Sequence, residues 1–150
     1  MPHVEPGPAR TAVLDTSVVI KWFYHAGGED IDAALLVRKA FFNGDLSIII
    51  PDLLIYEFAN ALRFKSQLDP ADVTEMVQSL WSLGLMVVPI DRNLSAATVE
   101  SAYHYGLTIY DATFVALAQQ LSANLITADR TLYENIKDLD GAIYLPTLSG

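Results

Sequence analysis

The chain has 150 residues, enough for one domain with its own hydrophobic core, and its hydrophobic content of 52% excludes a largely disordered protein. It has no cysteine, which excludes disulfides and thiolate metal sites, and no apolar run approaches the roughly 18 residues of a membrane span. Its net charge of −9 excludes nucleic-acid binding through bulk electrostatic attraction, so an RNA or DNA ligand would need bound metals or a few local basic residues.

Residues 1–10 contain three prolines and a glycine, and we predict that they form a flexible arm outside a single domain of residues 11–150. The N-terminus lacks the apolar segment of a signal peptide, so we expect a cytoplasmic protein. The acidity is explained equally well by solubility or by a basic protein partner.

From residue 11 onward, short apolar runs alternate with segments of helical spacing. This alternation predicts an α/β fold with a parallel sheet. In chain order we predict a strand at 11–15, helices at 18–24 and 29–42, a strand at 46–50, helices at 51–65 and 69–84, a strand at 85–90, helices at 93–105 and 108–121, a strand at 124–127, a helix at 129–138 and a strand at 142–145.

Four acidic residues lie where a hydrophobic run ends or inside an apolar helix: Asp15, Glu57, Asp111 and Asp129. Parallel sheets bind ligands outside the carboxyl ends of their strands, where the strand order reverses. Asp15 ends the first predicted strand and Asp129 follows the fourth, so both acids face one crevice if these strands are neighbours. Two charges 4 Å apart repel by about 4 kcal/mol at an effective dielectric near 20, so such a cluster implies bound cations or shared protons.

Three of these acids have a local alternative. Asp15 and Asp129 each precede a predicted helix, where aspartate is a favoured N-cap. Asp111 ends the segment that begins at Thr108, which fits a capping box. None of the three indicates a functional site in isolation.

Glu57 is harder to explain by local structure. The helix around it is apolar on nearly all faces, which predicts that the helix is buried. Buried glutamate is rare unless it is paired, and no lysine or arginine lies within four residues. Asn60, one turn later, could orient the carboxylate. A salt bridge to a distant base remains the alternative.

Hydroxyl residues flank the acids. Thr16, Ser17 and Thr127 could hold a metal-bound water or a carboxylate, and they could equally be helix caps. A ligand set made only of oxygen atoms favours Mg²⁺ or Mn²⁺ over Zn²⁺.

Four short motifs surround the acids in order, at residues 13–20, 51–62, 110–112 and 125–129. The second combines Glu57 with a following Asn-x-Leu at Asn60. Together the motifs resemble those of the PIN-domain ribonucleases, particularly the toxin subunit of VapBC toxin–antitoxin pairs. The resemblance covers roughly residues 11–146 and includes all four acids.

The resemblance implies a three-layer α/β/α domain with a five-stranded parallel sheet in the order 3-2-1-4-5. It also implies Mg²⁺ or Mn²⁺, hydrolysis of RNA phosphodiester bonds, a homodimer and an inhibitory antitoxin partner. On that basis Asp15 and Asp111 are the expected direct metal ligands. Glu57 and Asp129 would complete the site, directly or through water, and one or two metals are compatible with it.

Other functions fit the sequence less well. Haloacid-type phosphatases need Asp-x-Asp, but Ser17 occupies the third position, and the last predicted strand lacks the lysine of response-regulator receivers. A catalytically silent PIN scaffold that acts through protein contacts remains an alternative. A PIN nuclease of RNA processing without an antitoxin also remains open.

Overall fold

The computed structural model describes residues 10–25 and 28–149. The predicted alternation of strands and helices is present. The strands are β1 (Arg10–Leu14), β2 (Leu46–Pro51), β3 (Met86–Val88), β4 (Asn124–Thr127) and β5 (Ala142–Tyr144). The helices are α1 (Thr16–Val19), α2 (Ile31–Phe42), α3 (Leu53–Arg63), α4 (Pro70–Ser82), α5 (Arg92–Tyr105), α6 (Ile109–Gln120) and α7 (Arg130–Ile136), with 3₁₀ turns at Ile20–Trp22 and Leu145–Thr147.

The five strands form one parallel sheet in the order β3-β2-β1-β4-β5, as the family resemblance implies. β1 lies between β2 and β4, and Leu14 pairs with Ile126 at its carboxyl end. The strand order reverses beside β1, because the chain extends the sheet on one side through β3 and on the other through β5. The carboxyl ends of β1 and β4 therefore flank the crevice in which such sheets bind ligands.

The core lies along the central strands and under α6. Ala12, Val13 and Leu14 of β1 are buried, as expected for a central strand that is covered on both faces. α6 contacts β1, β2 and β4, and its residues 112–118 are all buried. This helix is apolar on every side because it lies between the sheet and α5.

Several boundaries differ from the prediction. Arg10 is the first residue of β1, so the predicted arm ends at least one residue earlier, and residues 1–9 lie outside the described residues. α2 begins at Ile31 because Asp30 has a left-handed backbone with φ of 60°. β3 is only three residues long: it is an edge strand, and Pro89 after it has no N–H to continue the ladder.

The first predicted helix is also split. Helical structure begins at Thr16, directly after Asp15, and turns into a 3₁₀ helix at Ile20. The indole N–H of Trp22, at the end of this 3₁₀ helix, donates a 2.8 Å hydrogen bond to the carbonyl oxygen of Ala34 on α2. None of the helices in the described ranges combines the length and the apolar character needed to cross a bilayer.

Candidate metal centre

Asp15 lies at the carboxyl end of the central strand. Its backbone N–H donates a 3.0 Å hydrogen bond to the carbonyl oxygen of Ile126, which continues the β1–β4 pairing by one residue. The side chain is only 5% exposed. Although Asp15 occupies the N-cap position of α1, its carboxylate makes no capping hydrogen bond. The capping alternative therefore does not account for this buried acid.

Two hydroxyl groups bind the Asp15 carboxylate instead. Oδ2 accepts a 2.6 Å hydrogen bond from Ser17 Oγ and a 2.9 Å bond from Thr127 Oγ1. Each hydroxyl oxygen in turn accepts a backbone N–H, from Ala128 at 2.9 Å and from Asp129 at 3.0 Å. Each hydroxyl oxygen thus accepts one hydrogen bond from the backbone, and its own proton is donated to Asp15. The carboxylate is thus held in one orientation.

The electrostatics of Asp15 are dominated by burial. Desolvation raises the pKa of this carboxyl above its ordinary value, and the hydrogen bonds from Ser17 and Thr127 oppose that rise. The charge of Asp129 raises the pKa further. The site therefore disfavours an isolated negative charge at Asp15 and would be relieved by a proton or a cation.

Glu57 lies on α3 and faces the same crevice. Its Oε1 accepts a 2.7 Å hydrogen bond from Thr16 Oγ1. Burial raises the pKa of Glu57, the Thr16 bond opposes this, and the charges of Asp15 and Asp111 add to it. The salt-bridge alternative fails, because the only ion pair within 4 Å among residues 10–25 and 28–149 joins Lys137 to Glu134.

The prediction that α3 is buried on all faces is wrong. Leu54, Phe58 and Leu62 form a buried stripe at four-residue spacing, whereas Tyr56 and Asn60 are exposed and Glu57 is half-buried. The prediction failed because it counted Tyr56 as a core residue, although its side chain lies on the solvent side of the helix. Within the described part of the chain, Asn60 makes no hydrogen bond to Glu57. The side chain of Asn60 therefore does not orient the Glu57 carboxylate in the way that its position one turn later suggested.

Asp111 lies in the first turn of α6. Its backbone N–H donates to Thr108 Oγ1 at 3.1 Å, but its carboxylate does not return a bond to the Thr108 N–H, so only half of the capping box forms. Both halves form at Asp69 and Asp72, at the start of α4. Burial raises the pKa of Asp111, and the charges of Asp15 and Asp129 raise it further. A helix cap therefore does not account for the Asp111 carboxylate.

Asp129 does cap a helix. Its Oδ1 accepts a 3.1 Å hydrogen bond from the Leu132 N–H at the start of α7, and the side chain is exposed. The cap accounts for this residue without a metal. Asp129 still belongs to the cluster electrostatically, because its charge raises the pKa of both Asp15 and Asp111.

Each of the four carboxylates is linked to at least one other by charge repulsion, and their oxygen-only chemistry fits a hard divalent cation. In the present rotamers, no three carboxylate or imidazole groups within the described ranges are close enough to bind a single ion. Tight coordination would therefore require side-chain rotation. The Asp111 carboxylate is the least constrained, since it has no hydrogen bond that fixes it.

A cleft of about 460 Å³ opens beside Glu57, between α3 and the start of α6. Its two tyrosines lie within the second and third sequence motifs, but no functional role was predicted for them. Tyr56 and Asn60 lie four residues apart on one helix face, a spacing that could have indicated a shared surface. The cleft is lined by Leu53, Tyr56, Glu57, Asn60 and Tyr110.

Comparison with known proteins connects this arrangement to a family. The family model described as "PIN domain" matches residues 12–138. The chain is also similar to Ribonuclease VapC3 of Pyrobaculum aerophilum, with 34% identity over 93 residues that span 59% of this chain and 70% of that protein.

Solved structures give the same fold. PAE2754 from Pyrobaculum aerophilum is 26% identical and superposes with a TM-score of 0.62 over 93% of each chain. A chain from a toxin–antitoxin complex of Klebsiella pneumoniae is 18% identical and has a TM-score of 0.66, covering 89% of this chain and 97% of that one. At that identity, the second likeness shows the fold alone.

Proposed function

The chain belongs to the PIN-domain family, as a VapC-type member, and from that premise we propose that it is a metal-dependent endoribonuclease and the toxin of a toxin–antitoxin pair. The observation that carries the proposal is the buried Asp15 at the carboxyl end of β1, held by two hydroxyls and surrounded by three further acids. The name of the relative Ribonuclease VapC3 supports RNA as the substrate.

In this proposal Asp15 and Asp111 bind Mg²⁺ or Mn²⁺ directly, and Glu57 and Asp129 complete the site, directly or through water. A divalent ion held there would supply charge stabilisation for the phosphodiester and a more acidic water. Raised carboxyl pKa values support this assignment, because a cation can relieve the same repulsion that a proton relieves.

The neighbouring hydroxyls act as positioning groups. Ser17 and Thr127 hold the Asp15 carboxylate by two short hydrogen bonds, and Thr16 holds Glu57 by one. Groups that orient metal ligands in this way typically change metal affinity or activity about 10- to 100-fold when they are removed. Asn60 lines the adjoining cleft, which supports a role for its amide in substrate contact.

The first prediction concerns the metal. The purified chain is expected to cleave a single-stranded RNA pool of random sequence when Mg²⁺ or Mn²⁺ is added, and to lose that activity in excess chelator. Added metal in excess of the chelator should restore cleavage, because the carboxylates remain intact. The measurement is the rate of fluorophore release from a quenched RNA. Cleavage that persists unchanged in excess chelator would contradict the proposal.

The second prediction concerns the partner. One structural neighbour comes from a toxin–antitoxin complex and another from a DNA-bound VapBC complex, and the net charge of −9 favours a partner with basic residues. We expect the product of a small adjacent reading frame to co-purify with the chain and to stop RNA cleavage. Without it, sedimentation should give twice the 16.5 kDa chain mass, as for a homodimer. If no adjacent gene product binds or inhibits the chain, the proposed toxin role fails, whereas the proposed ribonuclease function stands.

A further inference from the structure

Two tyrosines on the cleft beside the acids make little contribution to the fold. Tyr56 on α3 is 76% exposed and Tyr110 on α6 is 62% exposed. Neither is among the stacked or edge-to-face aromatic pairs of the described residues, nor does either ring lie under a cation. Exposed rings of this size forgo the stabilisation that burial gives, so their faces are available to a ligand.

The cleft is continuous with the candidate metal centre through Glu57. On one side its Oε1 accepts the hydrogen bond from Thr16, and on the other its side chain lines the cleft with Tyr56, Asn60 and Tyr110. A phosphodiester held at the acids would therefore bring an adjacent nucleotide to the cleft.

The lining of the cleft suits the uncharged part of a nucleotide. None of its five residues is basic and Glu57 is acidic, so the cleft offers no charge attraction for a phosphate. Aromatic faces stack on nucleobases of any sequence, and the Asn60 amide presents both a donor and an acceptor to a base edge. The volume of about 460 Å³ lies within the range of pockets for small organic ligands, roughly 300–1,000 Å³.

We propose that this cleft binds an unpaired nucleobase next to the scissile phosphodiester, with Tyr56 and Tyr110 stacking on the base and Asn60 contacting its edge. The inference rests on the proposed ribonuclease function and names the side chains beside the metal centre that hold the substrate. A base inside a duplex is already stacked and paired, so it cannot enter the cleft without being extruded. An acidic protein gains from such stacking, since it lacks bulk attraction for the RNA backbone.

The test compares KM and kcat for cleavage of a single-stranded RNA pool of random sequence in Mn²⁺. Tyr56→Leu and Tyr110→Leu are each expected to raise KM about tenfold while changing kcat less, because each loses one stacking surface. Tyr56→Phe and Tyr110→Phe keep the ring and should remain close to the parent. Tyr103→Leu is the matched control, since Tyr103 is 87% exposed on α5 and does not line the cleft.

The outcomes separate this inference from the function on which it rests. If the parent cleaves the pool and both leucine variants keep the parental KM, the base-binding inference is overturned and the ribonuclease function stands. Equal cleavage of the same RNA as a duplex would also overturn it. If the leucine variants lose only self-association or partner binding, the cleft is a protein interface and the inference fails. A parent that cleaves no RNA overturns both.

Discussion

Replacing Asp15 with asparagine is expected to reduce RNA cleavage by about a hundredfold or more without unfolding the protein. The substitution keeps the shape of the side chain and removes one charge from the centre of the acid cluster. Metal-assisted charge stabilisation is worth several kcal/mol in a transition state, and each 1.36 kcal/mol is a factor of ten in rate. The measurement is the initial cleavage rate in Mn²⁺ at equal concentration of folded protein.

The same variant is expected to melt at the parental temperature or above it in excess chelator near neutral pH. Burial raises the pKa of the Asp15 carboxyl above its usual value in the folded chain. A carboxyl with a raised pKa stabilises the folded state fully when the pH is below the pKa of the unfolded chain. This stabilisation is lost as the pH rises through the pKa of the folded chain. Near neutral pH the ionised group is therefore unfavourable, and asparagine lacks that charge.

These two readouts distinguish a metal ligand from a structural residue. The amide oxygen of asparagine can accept the same two hydroxyl protons, from Ser17 and Thr127, that the Asp15 carboxylate accepts. An Asp15→Asn variant that is inactive and also melts far below the parent would show that Asp15 supports the fold. A variant that cleaves RNA at the parental rate would remove Asp15 from the metal centre.

The sequence predicted the element types well because buried parallel strands are uninterrupted apolar runs. The run 46–50 identified β2, although the strand extends one residue further, to Pro51, where a helix was predicted to begin. The length of β3 was not predictable from its apolar residues. Its end depends on its position at the edge of the sheet, where β2 is its only partner among the residues that the structure describes. The strand order came from the family resemblance, since periodicity carries no information about which strands are neighbours.

The candidate site was predictable as a set of acids but not as an arrangement. The Ser17 and Thr127 hydroxyls that hold Asp15 are separated by 110 residues, so only the pairing of β1 with β4 brings them together. Glu57 was singled out for the wrong reason. Its helix is not buried all round, and the stronger observation is its hydrogen bond to Thr16 on the turn after β1.

The caps show why sequence position alone could not rank the acids. Asp15 and Asp129 both precede helices, yet only Asp129 uses its carboxylate as a cap. The difference follows from burial, because the hydroxyls of Ser17 and Thr127 engage Asp15 in the interior. Asp129→Asn is therefore a cleaner variant than Asp129→Ala, since asparagine also caps helices well and only the charge is lost.

A metal-dependent nuclease and a catalytically silent PIN scaffold differ in a second large effect, the stabilisation of the folded chain by Mn²⁺. A ligand that binds only the folded state at about a hundred times its Kd adds about 2.7 kcal/mol. For a chain of this length, that corresponds to a rise in melting temperature of roughly 5–10 °C. We expect this rise for the parent in Mn²⁺ relative to chelator, measured by scanning calorimetry.

The Mn²⁺-dependent rise in melting temperature should depend most on the acids that are proposed to bind the ion directly. Asp15→Asn and Asp111→Asn are expected to abolish most of it, and Asp129→Asn to reduce it less, since Asp129 is exposed and already serves α7. Glu75→Gln on the exposed side of α4 is the control for a change of net charge and should keep the parental shift. A parent with no shift would favour the silent scaffold, because repelling carboxylates that gain nothing from a cation do not form a metal centre.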